Sequence, residues 1–267
     1  ISYYCDTSAP LAYANTLTKG TNPTYQYISG TTLYYNSNYT GDFSITAGAI
    51  DNVNGSGIQK VNFPSLGTGF SGDGDDLASP YSTNYSWTTT ATTSPGAKNT
   101  TAYNYAGLTT TSGFTVANDP NAPIGGSISY TNDFYLAPSV SVTFSTGTDA
   151  VSGVATSGNK IQRAEATFAN DTDGTFGSFT DLVTDPTSPY TDTTVVKGKS
   201  YKYQYVVNDN VSNSVTWSSA NIARLGIRVT SPDGGGNWIY SELTNITWTA
   251  ANTITNVKIL LYKSGAL

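Results

Sequence analysis

Histidine and methionine are absent from this 267-residue chain, cysteine occurs once, and charged residues make up only 11% of it. Each shortage excludes something. Without histidine, neither a Ser-His-Asp nor a Cys-His nucleophile can be built, and no imidazole can ligate a metal. With Cys5 alone, no disulfide can close within the chain, so any partner of Cys5 lies outside it. Twelve Lys and Arg against eighteen Asp and Glu leave a formal net charge of -6. That balance argues against nucleic acid and anionic membrane surfaces, both of which are bound through clustered basic residues. No run approaches the ~20 apolar residues of a membrane span, and neither a basic n-region nor an apolar h-region opens the sequence. The expectation is a stretch from the middle of something longer, without membrane insertion, placed by its Asn/Thr-rich and weakly charged makeup at the outside of a cell.

What is abundant is Thr, Ser, Asn and Gly, all poor helix formers, while Thr, Tyr and Val suit pleated strands. Glutamate, a good helix former, occurs only at Glu165 and Glu242. Aromatic residues reach 12%, with 20 Tyr and 4 Trp, too much apolar surface for a disordered chain. Period-2 alternation marks the strands. Tyr201, Tyr203, Tyr205 and Val207 alternate with Lys202, Gln204 and Val206, and Phe43-Ser-Ile45, Ser127 to Tyr130, Val140 to Phe144 and Ile246-Thr-Trp248 behave alike. Gly-, Asn-, Asp- and Pro-rich turns separate them, and no 3.6-residue stripe is present. The fold class is all-β, with Trp87 and Trp217 as packing residues.

The length allows two sandwich domains of roughly 100 residues each plus a remainder. Internal repeats support that division. Asp6-Thr-Ser-Ala-Pro10 recurs as Asp119-Pro-Asn-Ala-Pro123 at an offset of 113, and Ser79-Pro-Tyr81 as Ser188-Pro-Tyr190 at 109. Between them Ile58-Gln-Lys-Val61 answers Ile161-Gln-Arg-Ala164, and Ser56-Gly-Ile58 answers Ser152-Gly-Val154. Each D-x-x-A-P box reads as a linker, because proline restrains its own φ and extends the residue before it. The expected organisation is residues 1–5 ending a preceding module, module one over 6–117, module two over 118–225, and a third module over 226–267 whose pattern stops unfinished.

The run Tyr27 to Asn36, then Gly41 to Thr46, then Asp51 before Ser56-Gly57-Ile58 resembles bacterial immunoglobulin-like repeats of very large surface proteins. Ala102 to Gly107 is similar to their D-x-A-G-N corner, with Asn104 in place of the Asp and Leu108 in place of the Asn, so the usual polar pair is lost. Module two resembles the fibronectin-III-like form through Gly125 to Tyr130, Thr148-Asp149 with Ser152-Gly153, and Tyr201 to Val207 followed by Asp209 and Asn213. Relatives often carry cysteine where this chain has Ser200. Val229 to Gly235 with Ile246-Thr-Trp248 and Val257-Lys-Ile259 is similar to the Ig-like domain of Ser/Thr-rich surface-anchored proteins. The resemblance implies tandem immunoglobulin-like and fibronectin-III-like β-sandwiches, and its motifs are structural ones.

Calcium is the one cofactor the residues invite. Asp73, Asp75 and Asp76 share one loop, and Asp171 and Asp173 have the D-x-D-G spacing with which short loops wrap a hard cation. The distal bidentate Glu of an EF-hand is missing from both, and solvated turns without an ion are the reading that stays ahead. A junction site would rest on Asp6, Asp119 and Asn118 alone. Most of the other aspartates sit in turn contexts beside Gly, Asn, Thr or Pro, which speaks against paired catalytic carboxylates. No Gly-rich phosphate loop precedes a helix. Sequons occur at Asn38, Asn54, Asn84, Asn99, Asn170, Asn210 and Asn245, about as many as this composition yields by chance.

The reading is a non-enzymatic structural or adhesive repeat segment, partnered by copies of itself or neighbouring modules and assembling into a filament, sheath or surface layer. A solitary adhesin stalk competes with it. From another class, carbohydrate-binding accessory modules of a secreted hydrolase, partnered by glycans, would show a coplanar row of exposed Tyr and Trp.

Overall fold

The computed structural model describes residues 5–135, 137–169, 171–231, 243 and 245–250. The chain is all-β, and its helical content among the described residues is one 3₁₀ turn at Pro23–Tyr25. By internal contacts it divides into two compact units. The first holds the chain up to Ile124 together with Thr148–Ala155 and Asn208–Ser214, and the second holds Gly125–Gly147, Thr156–Val207 and the chain from Val215 on.

The first unit contains β1 (Asn15–Lys19), β2 (Gln26–Ser29), β3 (Thr32–Tyr35), β4 (Gly41–Ala47), β5 (Ile58–Phe63), β6 (Phe70–Ser71), β7 (Gly74–Asp76), β8 (Ser82–Trp87), β9 (Gly96–Asn104) and β10 (Thr109–Asn118). They form a four-stranded sheet, β1-β4-β8-β6, and a six-stranded sheet, β2-β3-β10-β9-β5-β7. Only β3 and β10 run parallel; the other pairs are antiparallel. Alternation sets what each strand buries, since successive side chains leave opposite faces. Phe43, Ile45, Tyr85 and Trp87 of one sheet meet Leu33, Tyr35, Val61, Phe63, Phe114 and Val116 of the other in a single buried cluster. The result is sandwich-like, with burial of each such side chain worth about 1.5–3 kcal/mol.

The sharp turn before β7 depends on Gly72, whose φ is 106°. A Cβ there would overlap the Asn84 carbonyl, whereas one on Gly30, at φ 59°, meets open space. Gly72→Ala is expected to destabilise the first unit by about 1–3 kcal/mol, the usual scale of local backbone strain. Gly30→Ala should cost less, and thermal unfolding of the two variants measures the difference.

The second unit contains β11 (Ser127–Ser129), β12 (Asp133–Phe134), β13 (Val140–Ser145), β14 (Lys160–Ala169), β15 (Thr172–Asp173), β16 (Thr180–Thr184), β17 (Tyr190–Asp192), β18 (Lys199–Asn208) and β19 (Ser214–Ser218) except their end residues Asn208 and Ser214, and β20 (Ala223–Leu225). One sheet is β11-β13-β17; the larger runs β12-β20-β18-β14-β15, with β16 also on β14 and β19 on β18. The Tyr-rich strand lies as its alternation predicts, with Tyr201, Tyr203, Tyr205 and Val207 buried. In both copies of the repeated Ser-Pro-Tyr the Ser-Pro bond is cis, at Ser79-Pro80 and Ser188-Pro189. Of the expected third module, β21 (Ile227–Ser231) pairs antiparallel with β22 (Thr247–Ala250). The expected strand at Val257-Lys-Ile259 and residues 1–4 of the expected preceding module lie outside the described residues.

Trp87 is a core residue, 2% exposed. Trp217 is half-buried, packs where Gly126 leaves room, and keeps its Nε1 buried without a hydrogen-bond partner.

Candidate functional site

Three of the five aspartates in the two aspartate-rich loops, Asp75, Asp76 and Asp173, spend their carboxylates on the protein itself. Asp75 and Asp76 are consecutive residues of β7, so they leave opposite faces. Asp75 accepts from Lys60 Nζ at 2.7 Å and Asn62 Nδ2 at 2.8 Å. Hydrogen bonds from Lys60 and then Asn62 hold its carboxyl below the ordinary value. Asp76 accepts from the main-chain N–H of Ala78 and Ser82. Asp173 binds the Arg224 guanidinium through both oxygens and accepts from the Ser200 hydroxyl, while Asp171 turns the chain at φ 57°. Asp73, Asp75 and Asp76 do not converge, nor do Asp171 and Asp173 belong to a three-carboxylate group among the described residues.

Three other carboxylates do converge. Asp119, Asp149 and Asp209 each place an oxygen within 4.8 Å of the others. Asp119 follows β10 and donates its N–H to the Tyr35 carbonyl, continuing the ladder beside β3. Asp149 opens a turn in which its Oδ1 accepts from the N–H of Val151 at 3.0 Å and Gly153 at 2.7 Å. Asp209 follows β18 in a tight corner, with Oδ1 accepting from the N–H of Val211 and Asn213 and Oδ2 from Asn213 Nδ2. Asn213 Nδ2 also reaches the Asp119 carbonyl, and Asn213 Oδ1 accepts from Asn36 Nδ2 at 2.6 Å. A recess of about 390 Å³ lies alongside, lined by Asp119, Asn121, Ile124, Thr148, Asp149 and Val151 among others. Asp119 is fully buried and Asp209 is 2% exposed. Burial pushes the Asp209 carboxyl up to about 6, against the pull of its bonds from Asn213 and Val211, and Asp119 adds to the rise.

The same construction occurs once more, around Asp6, Asp51 and Asn104. Ser56 N–H donates to Asp6 Oδ2 as Ser152 N–H donates to Asp119 Oδ2. Gly57 N–H donates to Asp51 as Gly153 N–H does to Asp149. Tyr105 N–H bonds the Gly57 carbonyl as Asn210 N–H bonds that of Gly153, both at 3.0 Å. Leu108 N–H donates to Asn104 Oδ1 as Asn213 N–H donates to Asp209 Oδ1.

The difference is chemical. Asn104 donates through Nδ2 to Asp6 Oδ2 at 2.8 Å and to the Ser8 carbonyl, and the Ser56 hydroxyl donates to the same Asp6 oxygen at 2.7 Å. Bonds from the Ser56 main chain and hydroxyl hold the Asp6 carboxyl below its ordinary value. In the other corner Asp209 carries no amide N–H to give, and the Ser152 hydroxyl is buried without a partner. One corner closes through its own amide; the other brings three carboxylates together, oxygen ligands of the kind a hard cation takes.

Of the sequon asparagines, Asn38, Asn54, Asn84, Asn99 and Asn245 are exposed. Asn210 commits its side-chain nitrogen to the Ser152 and Gly153 carbonyls, and Asn170 lies outside the described residues. Cys5 is exposed and free.

No protein-family model matches the sequence, and no curated protein matches it. Among solved structures, dimeric latent PorU from Porphyromonas gingivalis aligns with 80% of this chain at 14% identity and a TM-score of 0.22. The chain spans 20% of the length of that PorU chain, a likeness too low to bear on fold or activity.

Proposed function

We propose that this chain is a non-catalytic structural segment of an extracellular surface protein, built of tandem immunoglobulin-like and fibronectin-III-like modules that pack against copies of themselves in a filament, sheath or surface layer. The observation that carries this reading is the outer face of the six-stranded sheet. Its outward positions on β2, β3, β9 and β10 include Tyr27, Tyr34, Asn99, Thr101, Thr115 and Ala117. Beside them on β5 and β7, Lys60 is already paired with Asp75. A face of short polar residues and tyrosines can be covered without desolvating charge, the main cost of burying a polar surface.

The carbohydrate-binding reading needs aromatic rings with free faces. Tyr25 and Tyr39 instead stack on each other, with centroids 3.6 Å apart and planes 3° apart, so each covers one face of the other. Sedimentation velocity and electron microscopy over a concentration series test the proposal. The expected result is reversible association through interfaces above the ~1,000 Å² that marks a specific contact, weakened by a Thr101→Lys/Thr115→Lys pair on that face. A chain that stays monomeric at every concentration would favour the solitary stalk instead.

A further inference from the structure

We propose that Asp119, Asp149 and Asp209 bind one hard divalent cation, calcium in the first instance, and that the residue at the corner position, Asp209 here and Asn104 in the sister corner, decides whether a corner takes an ion or closes on its own amide. The inference is independent of how the chain assembles.

Geometry comes first. Oxygens bound to one calcium at about 2.3–2.6 Å stand no more than about 5 Å apart, whereas the shorter bonds of magnesium demand a tighter cluster. The three carboxylates meet the looser limit, with oxygens within 4.8 Å of one another. They accept from main-chain N–H groups of the local turns and from the Asn213 amide, and among the described residues no salt bridge reaches any of the three.

A second observation is independent of the acidic residues. Ser152 is 5% exposed, and its hydroxyl has no hydrogen-bond partner, a state that ordinarily costs a buried polar group its full desolvation. Its counterpart Ser56 shows what a serine at this place does when the corner is complete, donating to the carboxylate of Asp6 and accepting from Ala106 N–H. The Ser152 main chain is already anchored to Asp119. Its hydroxyl, on the residue whose N–H binds Asp119, is therefore a neutral oxygen with its bonding capacity unspent.

The sister corner supplies the control. There the amide of Asn104 delivers a proton to Asp6 Oδ2, the place where the other corner would need a cation to draw Asp119 and Asp209 together. Two buried carboxylates without one repel, and a metal ion is the local charge that reverses that balance. The corner pair, Asp209 with Asn213 against Asn104 with Leu108, thus separates an ion-requiring corner from a self-sufficient one, and the Oδ2 that replaces Nδ2 is its decisive atom.

Calorimetric titration of the chelator-treated chain with calcium chloride, paired with thermal unfolding in calcium and in chelator, tests this. The wild-type chain should bind calcium and melt at higher temperature with it, because an ion held only by the folded state stabilises by mass action. Magnesium should do so less well. Asp209→Asn keeps the Oδ1 acceptor for Val211 and Asn213, as Asn104 does for Leu108, so it should fold. It should weaken calcium binding at this corner by at least about tenfold, a loss that even outer-shell changes bring. Asp149→Asn, which keeps the acceptor for Val151 and Gly153, should lose the same ion. Asn104→Asp should add one ion per chain. The site is overturned if wild type shows neither heat nor melting shift at millimolar calcium, or if both Asp209→Asn and Asp149→Asn bind as wild type. The corner rule is overturned if Asn104→Asp leaves the stoichiometry unchanged.

Discussion

Replacing Arg163 by Met should destabilise the second unit by about 3–5 kcal/mol at neutral pH, the scale on which breaking a buried ion pair leaves a bare charge behind. Asp192 has a fully buried side chain, and Arg163 Nη1 reaches its Oδ2 at 2.8 Å. Tyr203 OH donates to the same oxygen at 2.9 Å, while Thr194 gives its N–H and hydroxyl to Oδ1. The guanidinium also lies over the Tyr201 ring, 4.9 Å from its centroid. Burial works to raise the Asp192 carboxyl, and the bonds from Thr194, Arg163 and Tyr203 outweigh it, leaving the group below its ordinary 3.8. A depressed folded value means that the carboxylate contributes stability above pH 3.8, lost as pH falls through the folded value. Without Arg163, burial dominates and the folded value rises, so the contribution is lost as pH rises instead. The deficit of the variant should therefore be largest near pH 7 and shrink toward pH 3. Urea unfolding at the two pH values, assigned to this unit by hydrogen exchange at β14 and β18 amides, measures it. A deficit that does not change with pH would show that Arg163 acts through packing alone.

Much of this architecture is legible in the sequence because a strand buries one face. Tyr201, Tyr203, Tyr205 and Val207 had to point one way, and they do. Ser127 to Tyr130 and Val140 to Phe144 became β11 and β13 within a residue or so of their patterned ends. Periodicity is local, though, and cannot say which loop joins which body. Thr148–Ala155 and Asn208–Ser214 group with the first unit through contacts such as Asn36 to Asn213, 177 residues apart in sequence.

The aspartates show the same limit. Clustering within one loop suggested ligands at Asp73, Asp75 and Asp76, yet a strand sends neighbours to opposite faces and Lys60 claims one of them. At Asp173 the competitor is Arg224, more than fifty residues along the chain. Convergence came instead from positions 119, 149 and 209, each single in its own loop. The words that held them, D-x-x-A-P, the Asp before Ser-Gly and the Asp209…Asn213 corner, were readable as turns. Only the fold shows that they meet. The replacement of the corner Asp by Asn104 was visible too, but its meaning depended on Asp6 lying within reach of the amide.

The core of the first unit allows a prediction in which two destabilising changes partly cancel. Trp87 is the largest side chain buried there, its Nε1 donating to the Tyr39 carbonyl at 2.9 Å and its ring tilted against Tyr35 at 5.3 Å between centroids. Gly41, opposite it in register on β4, has no side chain to spare: a Cβ would stand 2.5 Å from Trp87 Cη2 and Cζ2. Trp87→Ala should cost about 3–5 kcal/mol, since the lost burial is joined by a cavity that the flanking strands cannot close. Gly41→Ala alone should cost about 1–3 kcal/mol through overpacking. The backbone at Gly41 is not in the left-handed region, so the penalty comes from the indole and not from φ. In the Trp87→Ala background the new methyl enters empty space, and a strand position prefers it to glycine. The double variant should therefore be no less stable than Trp87→Ala, giving a coupling of about 1–3 kcal/mol, within the range for residues in contact. Urea unfolding of the four proteins closes the cycle. Simple additivity of the two losses would mean that the Gly41 penalty arises elsewhere, and that the indole does not fill the space between β4 and β8.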